Sequence, residues 1–270
     1  MTELQAMPDI AGWDATVDAY VAYAERDTGA FAAPMLALAA VQASEHALDV
    51  AAGTGALTLP LAGTGARVTA IDWSPGMAAY LRRRLDESDP GHSHAVHAMD
   101  GQALLFDDGA FDVAFSLFGV MLFPDFRAGL AEMMRVTRPG GRCVVGSWAG
   151  LTAPMRLLQE AAAAALPDLP PTPAVAGMDA MATADGVTAE LERVGLTGIR
   201  TEQVTLPWSA SRAEVVGYAD RMFAQMPPWR TLSPDERAAT HAAMRDLADR
   251  DAGAPFESTA LIGVGYKPGR

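Results

Sequence analysis

Residues 48–58 read Leu-Asp-Val-Ala-Ala-Gly-Thr-Gly-Ala-Leu-Thr: an apolar run carrying Asp49, small residues at Ala51 and Ala52, then Gly53-Thr54-Gly55 and the start of a helical pattern. That order suits a strand, a tight turn and a helix N-terminus. Glycine accepts positive φ and has no Cβ, so a ligand can lie directly against the backbone. The unpaired N–H groups at a helix start favour electronegative ligand atoms. Two further acids close apolar runs downstream, Asp72 after residues 67–71 and Asp100 after residues 94–99. Ser74-Pro75 already supplies a cap and a first-turn proline for the next helix, which leaves Asp72 free for a ligand. Groups able to handle a proton stand at Tyr20, Tyr23 and His241, with Tyr218 behind them.

Composition removes several chemistries. Net charge is −13, and the basic run Arg82-Arg83-Arg84 is followed by Asp86, Glu87 and Asp89, so no nucleic-acid partner is expected. Lys267 is the single lysine among 20 Lys and Arg residues. It lies too near the C-terminus for a Gly-Lys phosphate loop, a Schiff-base lysine or a Tyr-x-x-x-Lys dehydrogenase pair. Cys143 is the only cysteine, which rules out an intramolecular disulfide and a cysteine-based zinc site. His92, His94 and His97 invite a metal reading, but alternation along a strand points His94 and His97 to opposite faces, so no metal is expected. With no signal-peptide pattern and no long apolar span, the expectation is a cytoplasmic protein, monomer or homodimer, without membrane insertion.

The elements that must position these groups alternate. Two helices are expected over residues 10–42, with Trp13, Val17, Tyr20 and Ala24 on one side. Strands are expected at His46–Val50, Arg67–Asp72, His94–Met99, Phe111–Ser116 and Arg142–Trp148, with helices between them and Arg138-Pro139-Gly140-Gly141 as a helix stop. This rhythm predicts an α/β fold with a doubly wound, mostly parallel sheet. After residue 150 it breaks into an alanine-rich helix, a proline-rich stretch, a helix from Ala184, a strand at Ile199–Leu206, two helices with capping boxes at Ser211/Glu214 and Ser233/Glu236, and a last strand at Ser258–Tyr266. The expected organisation is a helical lid (1–42), a binding core (43–150), a cap insertion (151–182) and a completed sheet (183–270) with inserted cap helices at 207–250.

Leu48–Thr58, Val68–Met77, Met99–Asp112 and Glu132–Arg142 together resemble the class I S-adenosylmethionine-dependent methyltransferases. The likeness is to the small-molecule branch with quinone C-methyltransferases and bacterial natural-product methyltransferases. The resemblance implies a seven-stranded sheet, its last strand antiparallel, and S-adenosyl-L-methionine over the ends of strands one to four. Gly53 and Gly55 would pass under the methionine part, Asp72 would accept both ribose hydroxyls, Trp73 would lie against the adenine and Asp100 would meet its amino group. Asp49, Ala51, Met77, Met99 and Gly101 would border the site, and Ser116 and Leu117 would line the sulfonium side. Ala51 and Ala52 depart from the glycine and cysteine common there. The dinucleotide alternative prefers a third glycine where Thr58 stands.

For such an enzyme the expected partner is a small, largely apolar acceptor in biosynthesis, a secondary metabolite or a quinone-like molecule. Alignment is the main catalytic task, with Tyr20, Tyr23 or His241 as a weak base at most. The acceptor is expected against Phe118, Met121, Tyr218, Met222, Phe223 and Met226; Ala219, Met222, Phe223 and Met226 share one helical face. A cyclase or rearrangement enzyme on the same fold, and a cofactor-binding protein without turnover, remain open at this stage.

Overall fold

A computed structural model describes residues 7–88, 90–91 and 93–269; His92 of the histidine group lies outside them. Seven strands form one sheet: β1 His46–Val50, β2 Arg67–Asp72, β3 Ala95–Ala98, β4 Phe111–Leu117, β5 Thr137–Trp148, β6 Thr197–Pro207 and β7 Glu257–Tyr266. Their order is β3-β2-β1-β4-β5-β7-β6. The first five run parallel, and β7 is antiparallel to both of its neighbours. The order reverses between β1 and β4, so the loops leaving these two strands diverge and open a crevice at their C-terminal ends. Asp72, Asp100, Gly53 and Gly55 lie at that end.

The helices are α1 Ile10–Tyr23, α2 Glu25–Gly29, α3 Ala32–Ala39, α4 Thr58–Ala62, α5 Pro75–Ser88, α6 Phe126–Val136, α7 Ala153–Ala165, α8 Ala176–Ala180, α9 Ala184–Arg193, α10 Arg212–Met222 and α11 Pro234–Arg250. Local chemistry sets their starts. Ser74 Oγ accepts from Met77 N at 3.0 Å, and the capping boxes at Ser211/Glu214 and Ser233/Glu236 both close. The segment expected to give two N-terminal helices gives three short ones, because the backbone leaves helical geometry at Ala24. Only Thr16 of α1 is fully buried; Trp13, Val17, Tyr20 and Ala24 are half-buried, as suits a helix lying across a rim.

The helix stop at Arg138–Gly141 holds, since α6 ends at Val136, but the following strand starts earlier than the expected Arg142. β5 begins at Thr137 and runs through this segment, with Gly140 at φ 73° and a register shift opposite Phe111/Val113. Gly140 N bonds Lys267 O and Lys267 N bonds Gly141 O, each at 2.9 Å. The lysine's Nζ donates to the carbonyls of Met134, Arg135 and Thr137 at 2.8–3.0 Å. A cation on the last carbonyls of α6 satisfies groups a helix end leaves unpaired.

Two apolar cores result. The main one joins the sheet to α3, α6, α8 and α9; the second joins α7, α10 and α11 through Leu158, Val215, Phe223, Trp229 and Met244. Within residues 151–182, α7 belongs to the second core, whereas α8 packs on the main one, with Gly177 so close to Met121 O that a Cβ would approach to 2.3 Å.

Candidate active site

The turn after β1 uses left-handed backbone three times, at Ala51 (φ 58°), Gly53 (φ 57°) and Gly55 (φ 108°). The two glycines do different work, contrary to the common role expected of them. A Cβ on Gly53 would meet nothing within 4 Å, so this residue borders open space. A Cβ on Gly55 would lie 2.6 Å from Leu81 Cδ1 and 3.3 Å from Leu59 Cγ, which is the protein interior. Ala51 takes a conformation that costs most L-residues ~1–2 kcal/mol. Its methyl is accommodated by Gly119, where a Cβ would come within 2.4 Å of it. Gly119 itself has φ −99°, which alanine adopts freely. Gly119→Ala is therefore expected to destabilise by about 1–3 kcal/mol through overpacking, and adding Ala51→Gly should recover most of that loss. A urea-denaturation cycle showing additive effects would refute this steric pairing.

Asp72 Oδ2 accepts from Gly53 N and its Oδ1 from Ser74 N, both at 2.8 Å. The carboxylate thus ties the glycine turn to the start of α5, a local role the sequence reading did not give it, while each oxygen retains a second lone pair. Burial raises its pKa, opposed by those two N–H groups. Asp49 is buried, accepts from Thr58 Oγ1 at 2.6 Å, and is pushed up to about 7, chiefly by burial. Tyr20 shares this environment: burial, then Glu25, Asp72 and Asp49, push its pKa up to about 12 against a 2.8 Å bond to Thr28 Oγ1. Tyr20 keeps its proton at neutral pH.

Three carboxylates of the N-terminal helices fasten them to the turn, to the start of α5 and to the segment before α10. Asp14 Oδ1 accepts from Ser74 Oγ and, at 2.9 Å, from Gly76 N. Glu25 Oε1 accepts from Thr54 Oγ1 and Arg84 Nη1, both at 2.5 Å, and Arg84 also donates to Thr54 O at 3.0 Å. Asp27 takes Ser209 N at 2.6 Å and Ser209 Oγ at 2.8 Å, which joins α2 to the segment between β6 and α10.

The remaining candidates fall into three places. At the rim, Trp73 is 39 % exposed, Met99 N bonds Asp72 O at 2.9 Å, and Asp100 Oδ1 accepts from Gln102 N and Nε2. Gly101 packs on Phe123 and Val50, and Met77 is buried. Ser116 is a latch rather than an open group: its hydroxyl donates to Val50 O and accepts from Val120 N, both at 2.9 Å. Leu117 beside it is half-buried. Phe118 (φ 60°) stacks on Trp148 at 3.7 Å with Phe31 edge-on to both, and Met121 Sδ accepts from Ser147 Oγ at 3.3 Å inside the main core. In the cap, Tyr23 stacks on Tyr218 at 4.3 Å and its hydroxyl accepts from Arg221 at 3.1 Å. Met222 and Met226 are half-buried, and Phe223 is a core residue beside Trp229.

Tyr20 and Tyr23 are neighbours on α1, whereas His241 lies on α11. His241 sits 5.9 Å from the Trp229 ring and 3.2 Å from Arg245 on α11, within the second core's surroundings. His94 Nδ1 accepts from Val68 N, and His97 lies beside Phe106. Among the described residues no group of three or more His, Cys, Asp or Glu could hold a metal ion. A cleft of about 400 Å3 between Glu45, Arg67 and His94 lies at the N-terminal ends of β1–β3, opposite the glycine turn. Sequence reasoning missed Glu25, Phe31, Trp148 and Trp208; a lone acid or aromatic carries no spacing signal until the fold gives it a neighbour.

Residues 48–145 match the family described as "Methyltransferase domain". With the strand order and the glycine turn, these residues are similar to a methyltransferase domain. Among relatives, it is 46 % identical over 103 residues to a demethylmenaquinone methyltransferase of Clavibacter sepedonicus, covering 38 % of this chain and 41 % of that protein. It is 35 % identical over 175 residues to the uncharacterized protein Rv1405c of Mycobacterium tuberculosis, covering 62 % of each. The chain thus spans from about two fifths to three fifths of these relatives' length. The fold also matches Haemonchus contortus phosphoethanolamine N-methyltransferase 2 solved with S-adenosyl-L-methionine, at TM-score 0.54 and 13 % identity over 88 % of this chain and 52 % of that one. No helix among the described residues is long and apolar enough to cross a membrane.

Proposed function

We propose that this protein is an S-adenosylmethionine-dependent methyltransferase whose acceptor is a small, largely apolar aromatic of the quinol class. The observation that carries the reading is the open side of Gly53, bordered by a turn that Asp72 closes and followed at the end of β2 by the exposed ring of Trp73. This cradle suits a cofactor with ribose hydroxyls, a flat base and a cationic sulfur, and lacks the lysine that phosphates favour. Asp72 would offer its second lone pairs to the ribose, Trp73 a face to the adenine, and Asp100 its Oδ2 to the adenine amino group. When bound, the cofactor supplies a methyl already activated by the sulfonium.

The chain's own contribution is placement. Helices α1 and α2 are fastened to the turn and to the start of α5, and aligning the reactants is worth up to ~7–11 kcal/mol of barrier. Tyr20, protonated at neutral pH, positions rather than removes a proton. A quinol ring carbon is a nucleophile that places little demand on a base, and the quinol class also agrees with what the Clavibacter relative's name says of that protein. The test is incubation with S-adenosylmethionine and anaerobically reduced 1,4-naphthoquinone. S-adenosylhomocysteine and a mono-methylated naphthoquinol should accumulate in equal amounts. Neither product, with no S-adenosylhomocysteine binding by calorimetry, would overturn the reading; binding without turnover would reject the acceptor class.

A further inference from the structure

The seam between lid and cap holds a buried polar group without a partner. Trp208 is 7 % exposed, and its Nε1 makes no hydrogen bond among the described residues. Buried donors are ordinarily paired, since an unpaired one forfeits its hydration. This indole is not loosely held. Its own backbone N–H bonds Phe256 O at 2.8 Å, and the next residue, Ser209, is fastened twice to Asp27. Beside it lies the Tyr218 hydroxyl, near enough for the indole N–H to lower the phenol's pKa in opposition to burial, but not in hydrogen-bond geometry with it.

Tyr218 is fixed in turn by its stack on Tyr23. Tyr23 follows Tyr20 by three residues on α1, on the same side of the helix, and Tyr20 lies among the acids at the glycine turn. The seam therefore continues the lid's inner face from the cofactor turn into the cap. Resting on the function proposed above, we infer that Trp208 Nε1–H and the Tyr218 O–H form the polar end of the acceptor site and together receive one oxygen of the quinol. Burial raises the Tyr218 pKa to about 12, so both groups are donors at neutral pH, and the ligand atom they suit is a carbonyl, hydroxyl or phenolate oxygen. Asp27, the carboxylate that acts most strongly on Tyr218, is occupied by Ser209.

Trp208→Phe removes the donor and keeps a ring. It is expected to raise KM for 1,4-naphthoquinol about tenfold, as for one lost hydrogen bond, with kcat and S-adenosylhomocysteine affinity within threefold of wild type. Tm should be unchanged or about 2–4 °C higher, because a buried unpaired donor is gone. Tyr218→Phe should move KM in the same direction. A fall in Tm with KM unchanged would mean that the indole N–H is satisfied within the protein, and would overturn the inference; so would equal losses of cofactor and acceptor binding. If wild type fails to methylate the naphthoquinol, the proposed acceptor class falls. The donor pair is then decided by Tm: unchanged or raised in Trp208→Phe supports it, and lowered rejects it.

Discussion

Asp72→Ala is expected to weaken S-adenosylhomocysteine binding by about two orders of magnitude or more, at ~1.5–3 kcal/mol for each of two charge-assisted hydrogen bonds to the ribose. The structure adds a second consequence. The same carboxylate receives the N–H groups of Gly53 and Ser74, so alanine also frees the glycine turn from the start of α5. Stability should fall with affinity, by about 1–3 kcal/mol for the donors left behind. The two effects separate in a calorimetric titration below the variant's melting range, where a merely loosened fold regains affinity as ligand orders it. Near-native affinity in Asp72→Ala would remove the ribose assignment and with it the orientation proposed for the cofactor. Loss of affinity without any loss of stability would instead mean that the turn does not need this tether.

Much of this architecture is legible in the sequence because it rests on local signals. The β1–glycine turn, the Ser74-Pro75 start of α5, both capping boxes and the alternation of strands and helices follow from patterns a few residues long. What is not legible depends on partners far apart in the chain. Glu25 meets Thr54 and Arg84 from 29 and 59 residues away, and Asp27 meets Ser209 across 182. No spacing rule reaches such distances. Arg138–Gly141 does end α6 as its punctuation predicts, but the early start of β5 is not readable for a related reason: the distant Lys267 backbone supplies hydrogen bonds that carry the strand back to Thr137. For Gly55 the turn was readable but not its direction, since nothing in a Gly-x-Gly pattern states which glycine faces ligand and which faces Leu81.

That direction leads to the largest expected loss of stability. Gly55→Val places a β-branched side chain at φ 108°, a region nearly restricted to glycine, at a cost of ~1–3 kcal/mol in backbone strain. Its Cβ would sit 2.6 Å from Leu81 Cδ1. Leu81 is wholly buried in a cluster with Ala52, Ala70, Ala78, Leu85 and Val96, so it has no solvent to retreat into, and overpacking adds about 1–3 kcal/mol. Against a typical total of ~5–15 kcal/mol, the sum should lower Tm by on the order of 10 °C or more, or leave the chain largely unfolded. Gly53→Ala is the control. Its Cβ enters open space, so the fold should lose only ~1 kcal/mol of left-handed strain, while a ligand lying on that side of the turn meets the new methyl. Thermal melts with and without S-adenosylhomocysteine distinguish the two positions. Gly55→Val should melt early and gain little from ligand, whereas Gly53→Ala should melt near wild type but lose most of the ligand-induced rise. A folded Gly55→Val protein with native Tm and no ligand binding would reverse the assignment of the two glycines.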